Sequence, residues 1–104
     1  MRVLSRSALR KFWETPNRGD SEEPLQAWYL ETTAAAWKTP ADIKEKYRSA
    51  SFVGDNRVIF NIAGNKYRLV VHVIYAKQRV LIKFIGTHEE YDAISAETVG
   101  GGKK

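Results

Sequence analysis

The chain has 104 residues, with 17 Lys and Arg against 12 Asp and Glu and a formal net charge of +5. That length suits one domain with a modest core, and 43% hydrophobic residues mark a globular chain rather than a disordered one. The absence of cysteine excludes disulfides and thiolate metal sites, and no apolar run suits a membrane span or a signal peptide, so the expected location is the cytoplasm.

Met1–Ser5, with Val3 and Leu4, fits an edge strand that joins a later sheet. Ser7–Thr15 reads as a helix because Leu9, Phe12 and Trp13 recur at i, i+3 and i+4, with Ser5 or Ser7 as cap. Pro16-Asn-Arg-Gly19 ends it. A second helix starts at Asp20 or Ser21 and runs to about Ala36. Glu22 and Glu23 sit at the positive end of its dipole, and Leu25, Trp28, Tyr29, Thr32 and Ala36 form its stripe. At this helical spacing Trp13 and Trp28 read as core packing rather than a base-stacking platform. Thr39-Pro40 starts a short helix to Tyr47, with Asp42 at the capping-box position. Arg48–Val53 is extended, and Gly54-Asp-Asn56 is a turn.

Three strands follow: Arg57–Ile62, about Lys66–Tyr75, and about Arg79–Ile85. The turn Ala63-Gly-Asn65 and the loop Ala76-Lys-Gln78 join them into an antiparallel meander. Strict alternation places Val58, Phe60, Ile62, Leu69, Val71, Val73, Val80, Ile82 and Phe84 on one apolar face, which the helices must cover. The other face carries Arg57, Ile59, Asn61, Arg68, Val70, His72, Ile74, Arg79, Leu81, Lys83 and Ile85. It reads as open to a polyanion or a partner chain. Thr87 then caps a short helix from His88 to about Ile94, with Glu90 at the capping-box position and His88 and Tyr91 on one side. Residues 1–99 form the expected single domain, and 100–104 a flexible basic tail ending in Lys103 and Lys104.

The charge is unevenly placed. Between Asn56 and His88 there are six basic residues and no acid: Arg57, Lys66, Arg68, Lys77, Arg79 and Lys83. Both histidines, His72 and His88, lie there too. An uncompensated positive stretch is the footprint of a phosphate-binding surface, and equally of a plain soluble basic one.

No P-loop, dinucleotide-binding glycine pattern or metal-ligand spacing is present, so neither a metal site nor a cofactor is expected. Cations with a general acid or base remain. That set suits RNA cleavage by the neighbouring 2′-hydroxyl: imidazoles ordinarily titrate near neutrality, and arginine forks match phosphate oxygens. His88, Arg68, Arg79 and Lys83 are the candidates read from the strands. An exposed helix-start histidine is the plainer reading of His88. His72, in mid-strand, reads as a packing or binding residue.

Two stretches carry a resemblance. Asn61-Ile-Ala-Gly-Asn-Lys-Tyr-Arg-Leu-Val70 and Phe84-Ile-Gly-Thr-His-Glu-Glu-Tyr-Asp92 together resemble the HigB family of bacterial toxins, as do Met1–Trp13 and Ala36-Trp-Lys-Thr-Pro40. The resemblance covers nearly the whole chain. It implies an α+β, RelE-like fold, with N-terminal helices packed on an antiparallel sheet and a short C-terminal helix. It also implies a toxin of a type II toxin–antitoxin pair that cuts mRNA, commonly in the 70S ribosome, without a metal and leaving a cyclic phosphate. Its partner would be a HigA-type helix-turn-helix antitoxin, through which alone it would meet operator DNA.

By that resemblance Arg68 matches the superfamily's phosphate-contacting arginine. His88 lies where related toxins place a catalytic polar residue, and Tyr91 is near their C-terminal tyrosine. Arg57 and Asn61 stand where RelE has a lysine-rich strand, which leaves the base unassigned. Lys66, His72, Arg79 and Lys83 complete the expected RNA-binding set. Two other readings suit the same basic sheet: a binder that blocks translation without cutting, and a ParE-like inhibitor of DNA gyrase.

Overall fold

The computed structural model describes residues 1–100. Five strands form one sheet: β1 (Arg2–Leu4), β2 (Ser51–Val53), β3 (Arg57–Ile62), β4 (Tyr67–Ile74) and β5 (Arg79–Thr87). Their spatial order is β1-β5-β4-β3-β2. β2, β3, β4 and β5 pair antiparallel, as the short turns between them require. β1 joins the edge parallel to β5, so the sheet is mixed rather than purely antiparallel. Between these two strands lie all the helices of the N-terminal half, the length a parallel crossover needs.

The helices are α1 (Ser7–Trp13), α2 (Glu22–Ala34), α3 (Pro40–Lys46) and α4 (His88–Asp92). Neither Ser5 nor Ser7 caps α1: its N-cap is Arg6, with no side-chain bond. Both anticipated capping boxes form. Thr39 and Asp42 close one at the start of α3, and Thr87 and Glu90 the other at the start of α4. α1, α2 and α4 each end short of the residues expected from the sequence.

The core fills the space between the helices and one sheet face. Leu9, Phe12, Leu25, Trp28, Trp37 and Ile43 meet Val58, Phe60, Ile62, Leu69, Val71, Val73, Val80 and Ile82. Phe60 gathers an aromatic cluster, with Trp28 edge-on at 5.6 Å, Tyr47 edge-on at 5.0 Å and Trp37 stacked at 6.3 Å between centroids. Trp28 is buried in this core, whereas Trp13 is only half-buried and lines a groove between α1 and α2.

Simple alternation fails once, at a β-bulge in β5. Val71 pairs with Ile82 but Val70 pairs with Phe84, so Lys83 is the extra residue. Past it the faces exchange. Ile85, expected on the basic face, pairs with Leu69 and packs against the core, while Phe84, expected in the core, turns to the opposite face beside Val70.

That opposite face is not open throughout. Arg57, Ile59 and Val70 are buried there, apart from the core cluster except for their shared sheet. The segment Ser95–Gly100 covers Arg57. It accepts hydrogen bonds from Arg57 on β3 and, at Gly100, lies against Lys83 on β5. Gly100 therefore belongs to the folded structure, and the rest of the expected tail lies outside the described residues.

Candidate RNA-cleavage site

The end of the face left uncovered is built from one row of the sheet. Asn61 on β3, Arg68 on β4 and Gly86 on β5 are register partners. Their side chains point the same way because paired residues share a face. Arg68 Nη1 donates to Asn61 Oδ1 and, at 3.1 Å, to Asn65 Oδ1 in the β3–β4 turn. Asn61 is steadied in turn by donating to the Ser49 carbonyl at 3.4 Å. These amides are neutral acceptors, so they orient the guanidinium without cancelling its charge. Arg68 is half-exposed, and it forms no ion pair among the described residues.

α4 supplies the other wall. The Arg68 guanidinium carbon lies 5.8 Å from the centre of the Tyr91 ring, a cation–π contact. Tyr91 leans on Phe84, the side chain the bulge turned outward, with 6.5 Å between ring centres. His88 stands one turn before Tyr91. Its backbone N–H donates to the Lys66 carbonyl at 3.3 Å, which ties the start of α4 to the start of β4. Its Nδ1 lies 3.3 Å from Asp92 Oδ2. That contact sets a carboxylate beside Nδ1 and leaves Nε2 free of it.

α4 is itself braced. Glu90 Oε1 accepts from the Thr87 backbone N–H at 2.9 Å, and Glu90 Oε2 accepts from Arg18 at 2.7 Å. The Thr87 amide bond, then the Arg18 charge, holds the Glu90 carboxyl below the usual range. Beside this brace, Asp20 accepts from Lys66 and from the buried Tyr67 hydroxyl, and those bonds likewise lower its pKa. The loop between α1 and α2 thus pins the end of the sheet that carries the site.

The remaining expected residues divide sharply. Lys66 is near the site, but its charge is engaged by Asp20. Arg57, expected on an exposed basic face, has no exposed surface; its Nη1 donates to the carbonyls of Ala96 and Val99. It cannot meet RNA in this conformation. His72, its register partner, is half-buried, and burial lowers its pKa with smaller contributions from Arg57 and Lys83 and an opposing one from Asp55. Arg79 faces Ile74 at the far end of β4, six residues or about 20 Å from Arg68. Lys83 occupies the bulge beneath Gly100.

The set brought together is therefore Arg68, Asn61, Tyr91 and His88. Asn65, Phe84, Arg18, Glu90 and Asp92 join it without having been expected at a site; Glu90 was expected only as a cap and Phe84 only in the core. Asp92 was visible as the i+4 neighbour of His88 and Asn65 as a turn residue near Arg68. Phe84 and Arg18 carried no local signal. Among the described residues no group of three or more His, Asp and Glu side chains converges as a metal site.

Comparisons with known proteins agree with this architecture. A family model, HigB_toxin, described as the RelE-like toxic component of a toxin–antitoxin system, matches residues 21–94. The chain is similar to the mRNA interferase toxin HigB of Escherichia coli (strain K12) and to the mRNA interferase HigB of Shigella flexneri. Each is 38% identical over 50 residues, covering 48% of this chain and 48% of the relative. The chain thus spans about half the length of the curated relatives it matches.

Proposed function

Since the chain belongs to the HigB family of RelE-like toxins, we propose that it is an mRNA interferase, an endoribonuclease that cuts mRNA by 2′-hydroxyl attack. The observation that carries this reading is Arg68. It is oriented by two neutral amides, backed by an aromatic ring and free of a carboxylate partner among the described residues. A guanidinium so placed fits the negative charge that develops on a phosphorane.

In this reading the 2′-oxygen bonds to phosphorus as the bond to the 5′-oxygen breaks, leaving a 2′,3′-cyclic phosphate and a free 5′-hydroxyl. Arg68 binds the non-bridging oxygens. His88 takes the 2′-hydroxyl proton or returns one to the departing 5′-oxygen, with Asp92 orienting the ring. Tyr91 positions the substrate or stacks on a base. Asn61 steers Arg68, and Lys83 meets a flanking phosphate. The proposed reaction is metal-independent, with solvent carrying the proton that His88 does not.

The proposed partners are a HigA-type helix-turn-helix antitoxin, the mRNA and the 70S ribosome, with operator DNA reached only through the antitoxin. The proposed compartment is the cytoplasm. Expression without antitoxin tests the reading, with growth followed alongside primer extension on cellular mRNA. Wild type is expected to arrest growth and to produce discrete breaks. Arg68→Ala, folded, is expected to cut about 10²–10³-fold more slowly. Arrest equal to wild type in both Arg68→Ala and His88→Ala removes these residues from the chemistry. Arrest without breaks favours the non-cleaving translation inhibitor, and DNA-damage signalling with intact mRNA favours the gyrase inhibitor.

A further inference from the structure

Arg57 is a cation the proposed reaction does not use, and its burial is incomplete in chemical terms. It has no exposed surface, yet only Nη1 is satisfied, donating to Ala96 O at 3.0 Å and Val99 O at 2.7 Å. Its Nε and Nη2 are buried with no acceptor among the described residues. Carbonyl oxygens carry only partial charge, and a buried guanidinium with idle N–H groups is costly unless an anion completes it. The surroundings supply little negative charge. His72 is the register partner of Arg57, and the charges acting on it are two cations, Arg57 and Lys83, against one acid, Asp55. The place has a positive charge, two unused donor atoms and a shortage of oxygen.

What covers it is slight. After α4 ends at Asp92 no further helix or strand is formed up to Gly100. Within the segment the bonds run from Thr98 N to Ser95 O at 3.2 Å and from Val99 N to Ser95 O at 2.9 Å. At its end Gly100 has φ +77°, and a Cβ there would sit 2.9 Å from the Lys83 carbonyl oxygen. Only glycine lets the segment lie this close to β5 in that conformation. The strap is thus shaped to rest on the sheet, held to β3 chiefly by the guanidinium beneath it.

We propose that Arg57 is a second phosphate-binding position, taking a backbone phosphate that flanks the cleaved linkage, and that Ser95–Gly100 is a strap covering it until RNA displaces it. The inference rests on the interferase reading above. Arg57 stands four residues along β3 from Asn61, about 13 Å, so it serves a phosphate further along the strand and not the one Arg68 holds. The phosphate oxygens replace the Ala96 and Val99 carbonyls and occupy the idle Nε and Nη2 as well. Uncovered, Arg57 and its register partner His72, with Lys83 at the bulge, then extend the RNA track along the sheet toward the start of β3.

The probe is a short, fully 2′-O-methylated single-stranded RNA, which binds without supplying an attacking hydroxyl. Its affinity is measured over a range of salt for the full chain and for Arg57→Gln, Arg57→Lys and Arg68→Gln. Each phosphate contact to a single strand contributes about 0.7 to the slope of log K against log salt. Arg57→Gln is expected to lower the slope by about that amount, and Arg57→Lys to retain most of it. A wild-type slope in Arg57→Gln beside a reduced one in Arg68→Gln overturns the inference and leaves the interferase reading standing: Arg57 is then only a clamp for the C-terminal segment. Absence of RNA binding by the wild type overturns both.

A second measurement survives any folding defect of the Arg57 variants. The chain has no cysteine, so Val99→Cys places a single thiol on the strap while keeping the backbone carbonyl that Arg57 binds. Adding the RNA is expected to speed alkylation of that thiol several-fold. An unchanged or slower rate shows that the strap stays down and removes the proposal.

Discussion

Gly86→Ala probes the packing on which the site rests. Gly86 is buried, is the register partner of Arg68 and has an ordinary negative φ, so the substitution is a matter of space alone. An added Cβ would lie 2.5 Å from Phe84 Cζ and 2.8 Å from Glu90 Oε1. Both are far ends of side chains, and in an open place they would swing aside at little cost. Here each is pinned. The Phe84 ring rests against Tyr91, and Glu90 is held by the Thr87 amide and by Arg18. Overpacking of this kind costs about 1–3 kcal/mol. Restricting the unfolded chain returns about 0.4–1 kcal/mol. A net loss of about 1–2 kcal/mol corresponds to a melting temperature lower by about 5–15 °C for a domain of this size. Activity is expected to fall further than stability, because Phe84 can yield only by shifting Tyr91 away from Arg68. A displacement of about 1 Å at a reacting centre costs on the order of 10²-fold. The assay is a thermal melt followed by RNA cleavage well below the transition. Gly54→Ala is the control, since its Cβ would meet nothing within 4 Å and its φ is not positive. If Gly86→Ala melts and cuts like wild type, the Phe84–Gly86–Glu90 stack does not constrain α4 and the account of the site is wrong.

Two further outcomes follow from the brace. Asp20 and Glu90 both have folded pKa values below their unfolded ones, Asp20 through bonds from Lys66 and Tyr67, Glu90 through the Thr87 amide and Arg18. A depressed carboxyl adds stability above its unfolded pKa and loses it as pH falls through the folded value. The melting temperature is therefore expected to drop on acidification below about pH 4, and less steeply in Asp20→Asn/Glu90→Gln, measured by melts across the acid range. An unchanged slope in the double variant refutes this origin. The two capping boxes give a matched pair. Thr39→Ala at α3 and Thr87→Ala at α4 are each expected to cost about 0.5–2 kcal/mol by denaturant titration. Only Thr87→Ala should also slow RNA cleavage at temperatures where both proteins are folded, because α4 alone carries His88 and Tyr91. Equal cleavage by the two would detach α4 from the chemistry.

The legible part of this molecule is the part written in short-range patterns. Thr39-Pro40-x-Asp42 and Thr87-x-x-Glu90 announced two helix starts, because a capping box is complete within four residues. Alternation placed Asn61 and Arg68 on one face because β3 and β4 pair without a shift. It failed past Ile82, since Lys83-Phe84-Ile85 reads the same whether the strand is flat or bulged; only the partner strand reveals the extra residue. The parallel pairing of β1 with β5 was equally hidden, because direction is set by a crossover through the whole helical half.

Charge was the instructive case. Counting six basic residues and no acid between Asn56 and His88 located the positive sheet, but it could not tell which cation was left to act. Compensation is a tertiary matter. Lys66 is paired by Asp20, which lies 46 residues earlier, and Arg57 is held by carbonyls 39 and 42 residues later. Arg79 is separated by the length of a strand. Arg68 differs in that its partners, Asn61 and Asn65, are near in sequence and uncharged, so they fix its direction and leave its charge intact. A phosphate site needs that combination of local restraint and missing compensation. The distinction that matters along this sheet is therefore between cations held by amides and those already answered by an acid or covered by the chain.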